Sequence, residues 1–416
     1  MDNKLFHKNF SLLIAGQASS LFGNCILDFA LSMYVLEITG SATIFASFLA
    51  VAMLPTILLS PLGGVIADRA NKRNIMVILD FATGITILIS AMMINRANNL
   101  VIICITLIIQ SILGAFETPT VQACVPQMQK GNNIVRGNAI VNQINAISTF
   151  IAPFIGSLLY TTFGLKPVMF AGVFCFLLTA FLECFIKLDY KPEKSSCGIF
   201  QIVKGDLIDS TRFICRERPA IFKTLILTAV ISFFVQGVAL VGLPYIVRTV
   251  LGLNANYYGA MESMLGFTGI LGSIIAGLIV EKFKIRKLYL TLLIIAIPLL
   301  PCGIIFLFVQ NIQINYAILL LSFAIIQISA CVFSVFALSI IQQLTPDNMT
   351  GKVMAYTATF SLCAQPLGQI IFGILFDGFS SAVYLVLIPT GIILSIISLT
   401  TKEFFLKIEK QIIKRT

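Results

Sequence analysis

The sequence predicts an all-α integral membrane protein with twelve transmembrane helices in two pseudo-symmetric six-helix halves. Three observations lead to this fold class. Of the 416 residues, 58% are apolar and only 11% are charged, whereas about 25% of residues are charged in soluble domains. Twelve apolar segments are long enough to cross a bilayer, which takes about 20 residues. Finally, several sequence features recur at a constant separation along the chain.

The twelve segments follow one another with short polar breaks between most of them. They cover approximately residues 10–36, 43–66, 75–95, 100–124, 138–162, 167–187, 220–247, 257–280, 288–309, 314–341, 353–376 and 381–401. Together they occupy most of the chain and leave no room for a soluble catalytic domain. We therefore expect no enzymatic activity and no cofactor.

The lysine and arginine residues indicate how the segments are threaded. If the N-terminus is cytoplasmic, 25 of the 28 Lys and Arg residues lie on the cytoplasmic side, and only Arg96, Lys166 and Arg248 lie outside. Cytoplasmic loops are enriched in these residues. The sequence thus predicts a multi-pass protein of the cell membrane with both termini cytoplasmic. Topology explains the net charge of +10 without a nucleic-acid partner.

The longest polar interruption, residues 188–219, divides the spans six and six. Its apolar residues recur near helical spacing, which predicts a short amphipathic helix at the membrane surface. We therefore expect an N-terminal half at 1–187, a cytoplasmic central loop at 188–219, and a C-terminal half with a cytoplasmic tail at 220–416.

A repeat relates the two halves. The loop after the second span reads GVIADRANKRN (64–74), and the loop after the eighth span reads GLIVEKFKIRK (277–287). At one offset of 213 residues, the chain pairs Gly64 with Gly277, Asp68 with Glu281, Arg69 with Lys282, Arg73 with Arg286, and Ala152-Pro153 with Gln365-Pro366. Transporters with parallel repeats bind substrate near the membrane midplane, between the halves.

The first of these loops resembles the signature loop of the major facilitator superfamily. Three further segments are similar to bacterial exporters of the macrolide-efflux type and to the related enterobactin exporters: GAFETPTVQACVP (114–126), GNA (137–139) and LTPDNMTGKVMA (344–355). The resemblance implies a latch that closes the inner gate, formed by Gly64, Asp68, Arg69 and Arg73 with Glu281 and Arg286 in the second copy. A simple topology anchor is the alternative interpretation.

Other residues are expected to assist this latch. Gly64 is expected to let the second helix approach a neighbour closely. Asp80 lies two turns after Arg73 and is expected to join the latch charges. Glu117, in the inner third of the fourth span, is expected to act in gating or hydrogen bonding. Glu183, at an inner helix end, is expected to be solvated.

Asp28 is the most informative residue of the first span. A carboxylate inside the hydrocarbon region is costly and faces a cavity or a partner. Asp28 shares one helix face with Gln17, Ser20 and Asn24, so we expect it to take a proton from outside and release it inside. A structural Asp, bonded to Asn24 or to the backbone, is the alternative.

Glu262, early in the eighth span, is a second candidate for proton coupling, or a solvated residue at the interface. Many proton-coupled drug antiporters of the superfamily carry a membrane arginine in the fourth helix, where this chain has Gln110. Coupling would therefore depend on Asp28 or Glu262.

The fifth span carries a stripe of polar residues followed by A-P-x-x-G at 152–156, which resembles the antiporter motif of exporters. Pro153 allows a kink and Gly156 allows close packing; an ordinary packing kink is the alternative. Amide side chains are expected to line the substrate cavity, at Asn24, Asn142, Gln143, Asn145, Gln236, Gln327 and Gln365. Apolar walls with a few amides suit bulky amphiphilic ligands.

These observations predict a monomeric secondary exporter of amphiphilic, drug-like compounds, driven by proton antiport through alternating access. Its partners would be the substrate, protons and the lipid bilayer. The chain has no P-loop motif, so ATP-driven transport is not expected. With a single histidine and no CxxC pair, it offers no metal site by sequence. The rivals are a siderophore or metabolite exporter of the same fold, a nutrient importer, and a membrane-embedded enzyme or sensor.

Overall fold

The computed structural model describes residues 5–96, 98–188, 219–280, 283–346 and 349–413. Within them, twelve helical segments are long and apolar enough to cross a membrane. The predicted fold class, an all-helical protein with twelve spans, is confirmed. The predicted amphipathic helix of the central loop lies in 189–218, outside the described residues.

Each of the first six spans is a single helix. They are α1 (Lys8–Thr39), α2 (Ala42–Arg69), α3 (Lys72–Met93), α4 (Asn99–Met128), α5 (Asn132–Phe163) and α6 (Leu165–Cys184). Asn71 and Asn98 begin α3 and α4, because their side-chain oxygens accept backbone N–H groups that no helical carbonyl can reach. Gly164 alone joins α5 to α6, with a φ of 78° that glycine adopts without strain.

The later spans are less regular. The helices are α7 (Pro219–Gln236), α8 (Ala255–Ile279), α9 (Leu288–Ala296), α10 (Leu299–Phe308), α11 (Ile312–Leu344), α12 (Thr350–Gly378), α13 (Tyr384–Thr400) and α14 (Lys402–Ile413). The span begun by α7 continues to Val250, mostly in wider π-helical turns. A 3₁₀ turn, Ile285–Lys287, precedes α9. Pro298 separates α9 from α10 within one span, because it has no amide hydrogen to continue the helix.

Large apolar side chains cover the outside of the described helices. Leu278 and Phe308, for example, are each 76% exposed, and Leu58 is 71% exposed. A soluble monomer rarely exposes apolar surface on this scale. This surface therefore fits the hydrocarbon core of a bilayer.

The chain divides into two compact units. Of the described residues, the first unit comprises 5–39 and 48–188, and the second comprises 40–47 and 219–413. In the first unit, α6 packs on both α1 and α3. Gly23 and Gly84 allow this approach, because a Cβ atom at either position would press against α6, at Cys175 and Leu177 respectively.

In the second unit, α7 packs on α12 and α8 packs on α11. The contact of this span with α12 uses one glycine from each side: Gly237, directly after α7, faces Phe372, and Gly368 of α12 faces the backbone of Phe233. These glycine contacts fix α7 against α12, and α11 packs on both around the cavity described next.

Candidate transport sites

A cavity of about 630 Å³ lies within the second unit, among α7, α11 and α12. Its volume falls in the range of about 300–1,000 Å³ that is usual for small-molecule sites. The cavity is lined by Thr228, Ile231, Ser232, Val235, Gln236, Gln327, Ala330, Cys331, Phe333, Ser334, Leu338, Ile341, Met354, Thr357, Ala358, Ser361 and Gln365. None of these side chains is an acid or a base. The cavity thus combines apolar walls with uncharged hydrogen-bonding groups.

Three of the predicted cavity residues meet here, one from each helix: Gln236 from α7, Gln327 from α11 and Gln365 from α12. An amide both donates and accepts hydrogen bonds, so these side chains can contact neutral polar groups of either kind. The other predicted cavity residues belong to the first unit. There Asn24 is half-buried, and Asn142, Gln143 and Asn145 are exposed on α5.

The polar face of α1 runs from the interior of the first unit to its surface. Gln17 and Ser20 are buried, Asn24 is half-buried and Asp28 is exposed. No hydrogen bond or ion pair joins Asp28 to another described residue. The carboxylate of Asp28 therefore has no protein partner among the described residues.

Three acidic side chains surround the buried end of this polar face of α1, near Ser20. The hydroxyl of Ser20 lies 3.2 Å from Oδ1 of Asp80 on α3 and 3.3 Å from Oε1 of Glu117 on α4. The carboxyl of Glu183, on α6, lies within hydrogen-bonding reach of Asp80. Asp80 and Glu183 are fully buried. We refer to Asp80, Glu117 and Glu183 as the carboxyl cluster.

The carboxyl cluster bears on two predictions. Asp80 faces Ser20, and Arg73 donates from Nη2 to the backbone carbonyl of Cys184. The side chains of Asp68 and Arg69 lie outside the described part, so the place of Asp80 among the latch charges stays a prediction. Glu183 is not solvated, since its exposed fraction is 0%. The physical reason is that α6 packs closely on α1 here: a Cβ on Gly16 would lie 3.3 Å from Cγ2 of Thr179, and Glu183 follows Thr179 by one turn on α6.

The predicted latch is only partly described. Asp68 and Arg69 lie at the end of α2, but their side chains are outside the described part, as is Glu281 entirely. The close contact expected at Gly64 is not found among the described residues, since a Cβ on Gly64 would meet none of their atoms within 4 Å. It is Gly63 whose Cβ would collide with the backbone oxygen of Ala115 on α4.

In the second copy of the loop, the side chain of Arg286 is exposed. Its backbone amide donates to Oε2 of Glu409 at 2.9 Å. Helix α14 therefore packs on the 3₁₀ turn that contains Arg286.

Two further predicted elements have defined surroundings. Pro153 is buried in α5, and Gly156 lies so close to α1 that a Cβ there would be 3.3 Å from Cα of Ile26. This brings α5 beside the segment that carries Asp28. Glu262 is half-buried and accepts a hydrogen bond from the buried hydroxyl of Tyr258, one turn earlier on α8.

Asp377 is a residue that sequence reasoning missed. It lies in the last turn of α12 and accepts three hydrogen bonds, from Oγ of Ser41 at 2.6 Å, from N of Ala42 at 2.7 Å and from N of Thr43 at 2.9 Å. These amides open α2, where a carboxylate stabilises the helix end. Ser41 before an apolar run was a local signal of a helix start, but nothing local pairs it with Asp377.

Twelve spans and an uncharged cavity of this size define a membrane transporter of small molecules rather than an enzyme. In the part of the chain that the structure describes, no group of three His, Cys, Asp or Glu side chains could hold a metal ion. The family model of the Major Facilitator Superfamily matches residues 13–369 and 225–407, and the chain belongs to this superfamily.

Relatives of known name are distant. Macrolide efflux protein A of Streptococcus pyogenes is 22% identical over 377 residues, which cover 88% of this chain and 89% of that protein. The multi-drug resistance efflux pump PmrA of Streptococcus pneumoniae is 23% identical over 286 residues, 64% of this chain and 67% of that protein. A bacterial homologue of the iron transporter ferroportin, in an inward-facing state, has the same fold: its TM-score is 0.75 at 14% identity, over 96% of this chain and 98% of that one.

Proposed function

We propose that this transporter is a secondary active exporter of neutral or cationic amphiphilic compounds, of the macrolide or multidrug type, that exchanges its cargo for protons by alternating access. The observation that carries the proposal is the uncharged cavity among α7, α11 and α12. Its volume of about 630 Å³ is large enough for a bulky organic molecule.

The chemistry of the cavity favours this class of cargo. Burying an apolar surface contributes about 25 cal/mol for each Å², which rewards large amphiphiles. Phe333 and Met354 in the wall can repack around different shapes, because thioether and aromatic side chains are adaptable partners. An anionic siderophore would favour basic side chains, and none lines this cavity.

The names of the relatives support export. One is called a macrolide efflux protein and another a multi-drug efflux pump. At 22–23% identity they support the general class of cargo and the direction of movement, and the cavity supports the absence of charge selection for anions.

The exposed carboxylate of Asp28 is our choice for the group that receives the coupling proton, since it lies on the polar face of α1 without a protein partner among the described residues. Glu262, bonded to Tyr258, is the second choice. We assign the opening and closing of the inner gate to the loop of Gly64, Asp68, Arg69 and Arg73 with its second copy at Glu281 and Arg286, and the bending of α5 to Pro153 and Gly156.

The test is transport into everted membrane vesicles, with a panel of macrolides, cationic dyes and one anionic siderophore. Each compound is measured with and without a protonophore. We expect uptake of a macrolide or dye that the protonophore abolishes and that Asp28→Asn abolishes as well. Uptake that ignores both would contradict proton antiport, and uptake of the siderophore alone would contradict the cargo class.

A matched pair of variants tests the cavity itself. Gln327→Leu removes an amide that lines the cavity, whereas Gln342→Leu makes the same change at an exposed position of the same helix. One neutral hydrogen bond contributes about 1 kcal/mol, so we expect Gln327→Leu to raise KM about fivefold and Gln342→Leu to leave it unchanged. Equal effects of the two changes would argue against this cavity as the substrate site.

A further inference from the structure

The carboxyl cluster has more acceptors than donors. Both carboxyl oxygens of Glu183 and Oδ2 of Asp80 are buried without any hydrogen-bond partner. Ser20 has one hydroxyl hydrogen to share between Asp80 and Glu117. A buried polar atom without a partner costs about 1–3 kcal/mol, and more when it is charged. Something must supply the missing hydrogen.

A bound proton would supply the missing hydrogen between Asp80 and Glu183. Asp80 and Glu183 lie within hydrogen-bonding reach of each other, but two carboxylates can form that bond only when one of them carries a proton. The nearest basic side chains on the helices that form the cluster are Lys72 and Arg73, on α3. Neither forms an ion pair with the three carboxyl groups, all of which lie within the described residues.

The other groups that face the cluster do not replace the proton. Gln17 and Ser20 face it from α1. Nε2 of Gln17 is itself a buried donor without a partner, but it faces Glu117, so it does not supply the hydrogen that Asp80 and Glu183 lack. Cys124 on α4 lies near both Lys72 and Glu183, and a thiol is only a weak hydrogen-bond donor. The described residues include no set of three acids or other ligands with the geometry for a metal ion. A proton therefore fits the cluster better than a metal ion does.

An apolar layer closes one side of the cluster. Leu13, Met76 and Val121 lie one helical turn from Gln17, Asp80 and Glu117, toward the side of the chain termini, and Ile186 follows Glu183 on that same side. All four belong to one buried hydrophobic cluster, in which none is more than 4% exposed. Water cannot cross such a layer without breaking its packing.

The opposite side of the cluster leads along α1 to the surface. Asn24 and the exposed Asp28 follow Ser20 at intervals of one turn, and eight residues of helix rise by about 12 Å. This distance requires water between Asp28 and Ser20. The Ser20 oxygen can then accept a proton from the nearest water, which takes one in turn from the side of Asp28, while the hydrogen of Ser20 passes to Asp80 or Glu117. One proton moves, and both the water and the hydroxyl are regenerated.

We propose that Asp80, Glu117 and Glu183 form a buried proton-binding site, which is loaded from the side of Asp28 through Ser20 and is sealed on the other side by the apolar layer. The proposal deepens the proposed proton antiport: Asp28 receives the proton, and the carboxyl cluster stores it. Release of the proton then requires the apolar layer to open, which a conformational change of α1, α3, α4 and α6 would allow.

The test measures protonation directly and without cargo. The purified protein in lipid nanodiscs is titrated with pH while infrared spectroscopy records the C=O stretch of protonated carboxyl groups. We expect a band that is lost in Asp80→Asn and in Glu183→Gln and kept in Asp28→Asn. Glu403→Gln, an exposed acid of α14, is the control and also keeps the band. Both cluster variants keep the size of the side chain, and gel filtration shows which of them remain folded.

The role of Ser20 has a separate readout. After transfer to heavy water, Ser20→Ala should keep the band but slow its shift from hydrogen to deuterium at least tenfold. A band that is absent at every pH, that survives both cluster variants, or that is lost only in Asp28→Asn would overturn the site. A band that Na⁺ removes at constant pH would overturn it in favour of a cation. The infrared experiment contains no cargo, so its result is independent of the transport assay. The proton-binding site can be confirmed even if the vesicles show no proton antiport, and it can be contradicted even if they do.

Discussion

At the scale of single residues, two neighbouring glycines of α2 have different surroundings. A Cβ at Gly63 would collide with the backbone oxygen of Ala115, whereas a Cβ at Gly64 would meet no atom of the described residues within 4 Å. Only the first position therefore sets the distance between α2 and α4. The sequence motif drew attention to Gly64, because a motif shows which residues recur and not which side of the helix meets a neighbour.

We expect Gly63→Ala to destabilise the protein by about 1–3 kcal/mol, because the colliding atom belongs to the backbone and cannot rotate away. The adjacent change Gly64→Ala should be neutral, or stabilising by up to about 1 kcal/mol, since alanine favours helix. The measurement is the temperature at which half of the detergent-solubilised protein stays monodisperse in gel filtration. Equal losses in both variants would contradict the packing described for α2 and α4.

At the scale of helices, the beginning of α2 is held by a residue of another helix. Asp377 accepts the amides of Ala42 and Thr43 and the hydroxyl of Ser41. Near these bonds, Gly373 lets α12 approach the beginning of α2. A Cβ added at Gly373 would lie only 2.7 Å from Cβ of Ala46. This pairing groups residues 40–47 with the second unit, although the rest of α2 belongs to the first.

Removing the carboxylate should loosen this helix end. Hydrogen bonds to a charged group contribute about 1.5–3 kcal/mol, so Asp377→Ala should speed hydrogen exchange at the amides of Ala42 and Thr43 about tenfold or more. Asp377→Asn keeps one acceptor and should have a smaller effect. The amides of Gln313 and Ile314, held by Asn311 at the start of α11, serve as the internal control. Unchanged exchange at Ala42 would show that other contacts fix the start of α2.

At the scale of the whole molecule, the distribution of charge predicts the orientation in the membrane. The 25 Lys and Arg residues on one side against three on the other favour cytoplasmic termini. A fluorescent protein fused after Thr416 should therefore fluoresce, and alkaline phosphatase at that position should be inactive. Fusions truncated after Asn98 or Asn254 should give the opposite result, and one after Ala70 should match the C-terminus. A reversed pattern would show that charge does not set the topology.

The fold was predictable because its signals are local. A spanning helix must satisfy its own backbone hydrogen bonds and must be apolar over about 20 residues, and both conditions can be read from a continuous stretch of sequence. All twelve spans were found in this way, and the loop motif at 64–74 with three further short segments indicated the family of transporters. The three glutamines of the cavity were chosen as polar residues in apolar spans, and they meet in one place in the second unit.

The carboxyl cluster could not be predicted. The sequence shows each acid within its own helix, but it does not show that the three side chains meet. Asp80, Glu117 and Glu183 lie on three helices, and the last of them looked like a solvated helix end. Asp377 and Ser41 are separated by 336 residues. Whether such side chains meet depends on which helix faces pack together. Glycines such as Gly23 contribute to this packing, because a Cβ there would collide with Cys175 on α6.

The sequence by itself determined that this protein is a twelve-span membrane transporter, because hydrophobicity, charge bias and the repeated loop act residue by residue along the chain. Only the tertiary structure decided that three acids share one buried place beneath Ser20, that an uncharged cavity forms among α7, α11 and α12, and that Asp377 holds the start of α2. The physical reason is that burial and hydrogen bonding depend on neighbours in space, and those neighbours come from helices far apart in the sequence.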